Sequence, residues 1–264
     1  MQDIEQSNWR QIEVLNQRGG RTLSIADLIA AGTISPEMAG YLGAAIGRGA
    51  SFLTAARPGG AGKTALLAAL LGLLAPGVPI VTVDRPEVVP QARRSGAPAC
   101  YLAHEIGAGH WYGYLWGPPV AGYLALADGK TSIASCLHAD TPEEVYQTIT
   151  SPPIGAPREA LLGVELLVFV QVEANRTAGR HHIRRRVSAV YQADRQAGTH
   201  RLVFQWNRAR DAFEPVSPLN SADGDRALAE LLAGAARNGP TEFAALREAY
   251  VAFTTQGSMT GRKR

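Results

Sequence analysis

One stretch limits what this chain can fold into: residues 51–84, SFLTAARPGGAGKTALLAALLGLLAPGVPIVTVD. Residues 51–56 are a short apolar run closed by a turn signal, which suits a buried strand. Residues 57–62 hold Pro58, Gly59, Gly60 and Gly62, so they continue neither a strand nor a helix. Residues 63–74 are rich in Ala and Leu, strong helix formers, and are apolar nearly all round. Pro76-Gly77 stops that helix, and residues 79–84 form a second apolar run ending on Asp84. Strand, glycine turn, helix and strand in this order are the setting of a phosphate-binding loop. Glycines let backbone N–H groups approach anionic oxygens, and the helix N-terminus adds partial positive charge.

On this reading Gly59, Gly60, Ala61, Gly62, Lys63, Thr64 and Ala65 cradle the phosphates of ATP. Lys63 reaches the β- and γ-phosphates, and the Thr64 hydroxyl ligates Mg²⁺. The pattern G-x-x-x-x-G-K-[ST] has Arg57 where its first glycine belongs. The plainer reading is an ordinary glycine-rich turn, and the flanking strand and helix favour phosphate. Asp84 leaves the next strand at the edge where an open α/β sheet places ligand-facing acids.

A chain of 264 residues, 46% hydrophobic and 19% charged, is globular and long enough for one sizeable α/β domain with small appendages. A net charge of +3 does not call for nucleic acid, and none is expected as a partner. Cys100 and Cys136 sit in apolar surroundings, which suits a reducing compartment rather than a disulfide scaffold. The N-terminus lacks an apolar leader, and residues 65–74 fall well short of the roughly 20 residues of a membrane span. A cytoplasmic protein is expected.

Three helices precede the loop. Residues 4–17 carry Ile4, Trp9, Ile12 and Leu15 near helical spacing; Ser24-x-x-Asp27 is a capping-box pattern; Ser35-Pro36-Glu37 opens a helix to about Ile46. Beyond the loop, residues 98–103 and 111–116 each read as a strand, and 118–128 as a helix. Residues 131–137 read as a strand with His138 at its exit, and Thr141-Pro142-Glu143-Glu144 opens a helix to about Thr150. Such alternation argues for a mostly parallel sheet covered by helices. Residues 164–173, 183–194 and 199–206 then follow as consecutive strands, with turns at 175–179 and 195–198, an antiparallel extension of one edge. Residues 218–223 read as a linker, 226–237 and 241–253 as C-terminal helices, and the tail from Thr254 as disordered. The expected organisation is a helical linker (1–49), a nucleotide-binding core with its antiparallel extension (50–217), and C-terminal helices with a tail (218–264).

Taken in order, these pieces resemble a known family. Residues 22–49 (TLSIADLIAAGTISPEMAGYLGAAIGRG) are similar to the entry helices of the type II/IV secretion and pilus-assembly ATPases, closest to the tight-adherence pilus and archaeal-flagellum branches. IVTVDRPEV resembles that family's acidic box, SIASCLHADTPEEV its histidine box, and GVELLVFVQVEANRTAGRHHIRRRVSAVYQAD its closing hairpin. The resemblance spans about residues 22–250, and the order of the boxes is more specific than any one of them. It implies a RecA-like P-loop domain working in a homo-oligomeric, six-membered ring with ATP between subunits. It also implies a place at the inner face of the cell membrane, beside a platform protein of a secretion or pilus machine. The apolar faces of the three entry helices would then cover a neighbour's nucleotide site. Lys63 and Thr64 would hold phosphate and Mg²⁺, with Asp84 as a further metal ligand. Glu87 would activate water, and His138 would sense the γ-phosphate.

The chain departs from the family in one further place. An acid-bearing strand is expected within residues 110–120, at about Gly113 or Tyr114, yet HWYGYLWGPPV contains no acid. Glu105, ahead of that strand, and Asp128, beyond the next helix, are the nearest carboxylates. Loss of one positioned catalytic group costs about 10²–10⁴-fold. Two functions follow: a motor subunit coupling ATP hydrolysis to pilus assembly or export, and a hydrolysis-poor paralogue that binds nucleotide as a structural or regulatory partner. Arg93 and Arg94 read equally as phosphate-contacting arginines and as a solvated loop. RHHIRRR (residues 180–186) reads as a solvated hairpin ahead of a contact for acidic head groups, and Trp111, Tyr112, Tyr114 and Trp116 as core aromatics ahead of adenine stackers.

Overall fold

A computed structural model describes residues 2–16, 19–177, 180–216, 223–239 and 241–260. Its strands are β1 (Phe52–Ala55), β2 (Ile80–Thr82), β3 (Cys100–Ile106), β4 (Tyr114–Leu115), β5 (Ser132–Leu137), β6 (Leu166–Thr177), β7 (Arg180–Asp194), β8 (Thr199–Asn207) and β9 (Ala212–Pro215). Its helices are α1 (Gln2–Leu15), α2 (Ile25–Ala30), α3 (Pro36–Gly47), α4 (Lys63–Leu71), α5 (Val88–Ser95), α6 (Pro119–Leu124), α7 (Pro142–Thr150), α8 (Asp223–Asn238) and α9 (Phe243–Thr260). All strands join one sheet in the order β2-β3-β5-β1-β6-β7-β8-β9, with β4 attached to β3. From β2 to β6 the pairing is parallel, and from β6 to β9 antiparallel. The fold is therefore the expected α/β architecture: a mostly parallel sheet between helices, with an antiparallel extension.

Strand alternation divides the apolar side chains between two cores. Phe52, Leu102, Ala134 and Leu166 enter the core shared with α1–α4, α8 and α9. Leu53, Tyr101, Ile133 and Leu167 enter the core shared with α5–α7. Burial on both faces explains why these strands read as continuous apolar runs. Each buried Leu, Ile or Phe contributes roughly 1.5–3 kcal/mol relative to exposure.

The N- and C-terminal helices, read from sequence as flanking units, share the core of α4. Contact between α3 and α8 is close: a Cβ on Gly40 would stand 2.6 Å from the Asp225 carbonyl. Arg247 of α9 makes a double hydrogen bond to Glu5 of α1, both 2.9 Å, and donates to the Gly72 carbonyl just beyond α4. The apolar faces of α1–α3 are thus covered within the chain rather than left for a neighbour. The Ser24–Asp27 capping box and the Ser35 N-cap form as expected.

Several boundaries differ from the sequence reading. The expected helix over residues 63–74 ends at Leu71, and that over 118–128 is the short α6. β3 runs on through Ile106, because Glu105 and Ile106 find partners in β4. The strand expected over residues 111–116 shrinks to two residues, since Gly113 turns the chain at φ 74°. Instead of turning at residue 175, β6 extends to Thr177 and β7 resumes at Arg180. Of the expected tail, residues 254–260 continue α9, and 261–264 lie outside the described residues, as do 218–222 of the expected linker. The sequence reading had no counterpart for α5 and β9, and α5 carries Arg93 and Arg94 in its last turn. Among the described residues no helix is long and apolar enough to cross a membrane.

Candidate functional site

The glycine-rich turn lies between β1, at the middle of the sheet, and α4. Gly62 caps α4 at φ 103°, where a Cβ is costly, and offers no side chain to the first-turn amides. The positive end of the helix is therefore open to an anion. Thr54 of β1 fixes the start of α4 by donating its hydroxyl to the Lys63 carbonyl at 3.2 Å.

The side chain of Lys63 reaches the exit of β5, where His138 meets the end of β3. Lys63 is only 6% exposed, and its Nζ lies 3.4 Å from Nδ1 of His138. That Nδ1 stands closer, 2.8 Å, to the Arg57 carbonyl. A carbonyl only accepts, so Nδ1 carries a hydrogen. The other ring nitrogen, Nε2, is 2.8 Å from Glu105 Oε1, with a proton between them. Tyr114 donates its hydroxyl to Glu105 Oε2 at 3.2 Å. Glu105 itself is 8% exposed. Among the described residues the Lys63 ammonium has no carboxylate partner. Burying an unpaired cation costs several kcal/mol, and an anion in the loop would remove that cost.

Arg57, in the place of the first glycine, points away from the loop. Its guanidinium takes Glu144 at 2.7 and 3.0 Å, and its amide donates to Asp140 at 2.8 Å. The Asp140 amide and the Arg57 guanidinium hold the Glu144 carboxyl below its ordinary range. The arginine thus ties the entry of the loop to the head of α7. A position that is not asked for a left-handed turn tolerates such a side chain.

The remaining sequence-nominated residues are spread out. Gly59 and Gly60 are exposed, Ala61 is buried, and Thr64 and Ala65 are half-buried in the first turn of α4. Asp84 pairs with Arg85 at 3.7 Å, and Glu87 stands exposed at the head of α5. Both follow β2, the edge strand, three interstrand spacings from β1, about 14 Å. Among the described residues Asp84 bonds to Arg85, and neither Asp84 nor Glu87 is bonded to Lys63, His138 or Glu105. For Mg²⁺, the Thr64 hydroxyl fits a metal that keeps water and phosphate oxygens as most of its ligands. Among the described residues no group of three or more His, Cys, Asp or Glu is placed to hold a metal.

β3 neighbours β5, one strand from β1, so the end of β3 brings a carboxylate, Glu105, beside His138, where the sequence had placed it only ahead of the acid-free segment 110–120. The continuous run CYLAHEI was the available signal. The aromatics were also misread as core. Trp111 is 63% exposed and Tyr112 48%, because the glycine-broken loop that carries them cannot enter the sheet. In the basic hairpin the side chains of residues 180–182 lie outside the described set. Arg184 and Arg186 both take Asp211, and Arg185 reaches the Gly60 carbonyl.

No protein-family model and no curated protein matches the chain. Among solved structures, the chain is similar to the X-ray structure of the Legionella pneumophila ATPase DotB, with a TM-score of 0.37 and 14% sequence identity. The match covers 57% of this chain and 47% of that one, so the chain spans about half of DotB.

Proposed function

We propose that this chain binds ATP with Mg²⁺ and hydrolyses it as a motor subunit of the type II/IV secretion and pilus-assembly superfamily. The observation that carries the nucleotide reading is the buried Lys63 ammonium. It lies at the open end of α4, without a carboxylate partner among the described residues, 3.4 Å from the His138 ring whose other nitrogen meets Glu105. A phosphate chain supplies the missing anion. The motor reading rests on the order of the sequence boxes.

In this mechanism the loop amides and Lys63 hold the phosphates. Mg²⁺ would sit on Thr64 and spread the phosphate charge. Glu105, fixed on one oxygen by His138 and on the other by Tyr114, orients the attacking water and takes its proton. His138 holds Glu105 through Nε2 and is tied through Nδ1 to the Arg57 carbonyl at the entry of the loop, so it couples the two. Glu105 supports hydrolysis over the hydrolysis-poor alternative, whose ground was a missing acid, and its position favours it over Glu87.

The test is equilibrium binding of a fluorescent ATP analogue beside steady-state phosphate release, on one preparation. Lys63→Ala should abolish binding. Glu105→Gln should keep ATP bound and lower turnover about 10²–10³-fold, whereas Glu87→Gln should change it little. Binding that survives Lys63→Ala would overturn the site. Wild-type turnover at background would restore the regulatory reading. The same proposal includes a ring of copies beside a membrane platform protein, which sedimentation with and without ATP examines. A strict monomer at high concentration would count against the motor.

A further inference from the structure

The ribbon of β6 and β7 returns to the loop from the side opposite His138. Ala55, the last residue of β1, pairs with Phe169 of β6. Val172, three residues further, pairs with Arg185. That register carries Arg185 about 10 Å past the end of β1, level with the glycine-rich turn. Its Nη2 lies 3.3 Å and its Nε 3.4 Å from the Gly60 carbonyl. Its Cδ is 3.1 Å from where a Cβ on Gly62 would stand.

The flanking arginines are differently employed. Alternation along β7 puts Arg184 and Arg186 on the other side, where both hold Asp211, at 3.1 Å for Arg184 and at 2.8 and 2.9 Å for Arg186. Arg185 has no carboxylate among the described residues, only one neutral carbonyl at long range. A guanidinium offers five donors in a plane that matches phosphate oxygens, and a single weak acceptor leaves most of them unused.

We propose that Arg185 grips the bound nucleotide in cis, on its nucleoside-proximal phosphate, exchanging the Gly60 carbonyl for phosphate oxygens. The sheet order β5-β1-β6 assigns the end. Lys63, His138 and Glu105 gather on the β5 side, where the terminal phosphate reacts, so the β6 side is left for the end of the phosphate chain that joins the nucleoside. The proposal rests on the reading of residues 59–65 as a triphosphate site. It makes Arg185 a binding residue for ADP and ATP alike, with no part in the cleavage step.

Affinities for ADP and for a non-hydrolysable ATP analogue, with Mg²⁺, are to be measured on the full chain carrying Arg185→Ala, Arg185→Gln or Arg185→Lys, with Lys63→Ala as the control. Glutamine keeps a donor for the Gly60 carbonyl but lacks the charge, whereas lysine keeps the charge. Loss of a charge-assisted contact predicts about tenfold to a hundredfold weaker binding of both nucleotides in the Ala and Gln variants. The Lys variant should stay within a few-fold of wild type for both nucleotides. Wild-type affinity in Arg185→Gln would show a neutral tether and overturn the proposal. Loss confined to the triphosphate would place the arginine at the other end and overturn it as well. If Lys63→Ala loses binding while all Arg185 variants keep it, only the Arg185 assignment falls. If wild type binds neither nucleotide, the site reading falls with it.

Discussion

Glu105 and His138 face each other across adjacent parallel strands, carboxylate oxygen to ring nitrogen at 2.8 Å. The imidazole is fixed at both nitrogens, and the carboxylate at both oxygens. Groups that position one another act as a unit, so their removals do not add. If each of Glu105→Gln and His138→Ala lowers turnover about 10²-fold or more, the double variant should fall little below the worse single one. Steady-state phosphate release on the four proteins of the cycle decides this, and fully additive losses would separate the two residues.

Gly62→Ala should damage the loop rather than the fold. Its φ of 103° is strained for alanine, at about 1–3 kcal/mol, and the new Cβ would press on Arg185 Cδ at 3.1 Å. Nucleotide affinity should fall more than about tenfold, with secondary structure by circular dichroism unchanged. Wild-type affinity would mean that the loop is free to rebuild.

Gly40→Ala should do the reverse. Its Cβ would meet the Asp225 carbonyl at 2.6 Å and the Ala229 Cβ at 2.7 Å, so α3 and α8 must separate. Overpacking of this kind costs about 1–3 kcal/mol. The thermal midpoint should drop by several degrees while nucleotide affinity at low temperature holds. An unchanged midpoint would contradict so close a crossing.

Mild acid should weaken the fold through two buried histidines. Burial pushes His104 down from 6.5 to about 4 and lowers His200 as well. A histidine depressed in the folded state binds fewer protons there than in the unfolded chain. Its contribution is complete above about pH 6.5 and is lost as pH falls toward 4. Asp211, held down to about 2 first by its Arg186 hydrogen bond, gives way only below its ordinary 3.8. The thermal midpoint should therefore decline between pH 6.5 and 4.5, before carboxylate protonation is felt. A flat midpoint across that interval would refute the neutral assignment of both rings.

The sequence made the loop and its helix legible because glycine, lysine and threonine have few other reasons to stand in that order between a strand and a helix. The strand that ends just before His138 was legible as well. The contact of Glu105 with His138 was not, because it depends on β3 lying beside β5, a long-range pairing that local pattern does not report. In residues 110–120 the aromatics suggested a longer strand, which Gly113 prevents. Asp84, read from its strand exit and by resemblance, and Glu87, read by resemblance, follow the edge strand β2, a position that only strand order reveals. Arg185 was hidden inside a basic run whose members look alike until alternation sends them to opposite sides.

The exposed loop after β3 has an optical consequence. Trp111 stands with its ring centroid 5.1 Å from that of Tyr114, whose hydroxyl holds Glu105. An indole in contact with water is sensitive to small changes around it, and this one is two contacts from the carboxylate beside the phosphate loop. The chain thus carries a native fluorophore wired to its candidate reaction centre. Nucleotide added to the chain should then shift tryptophan emission, readable without a label, and Tyr114→Phe should mute that shift.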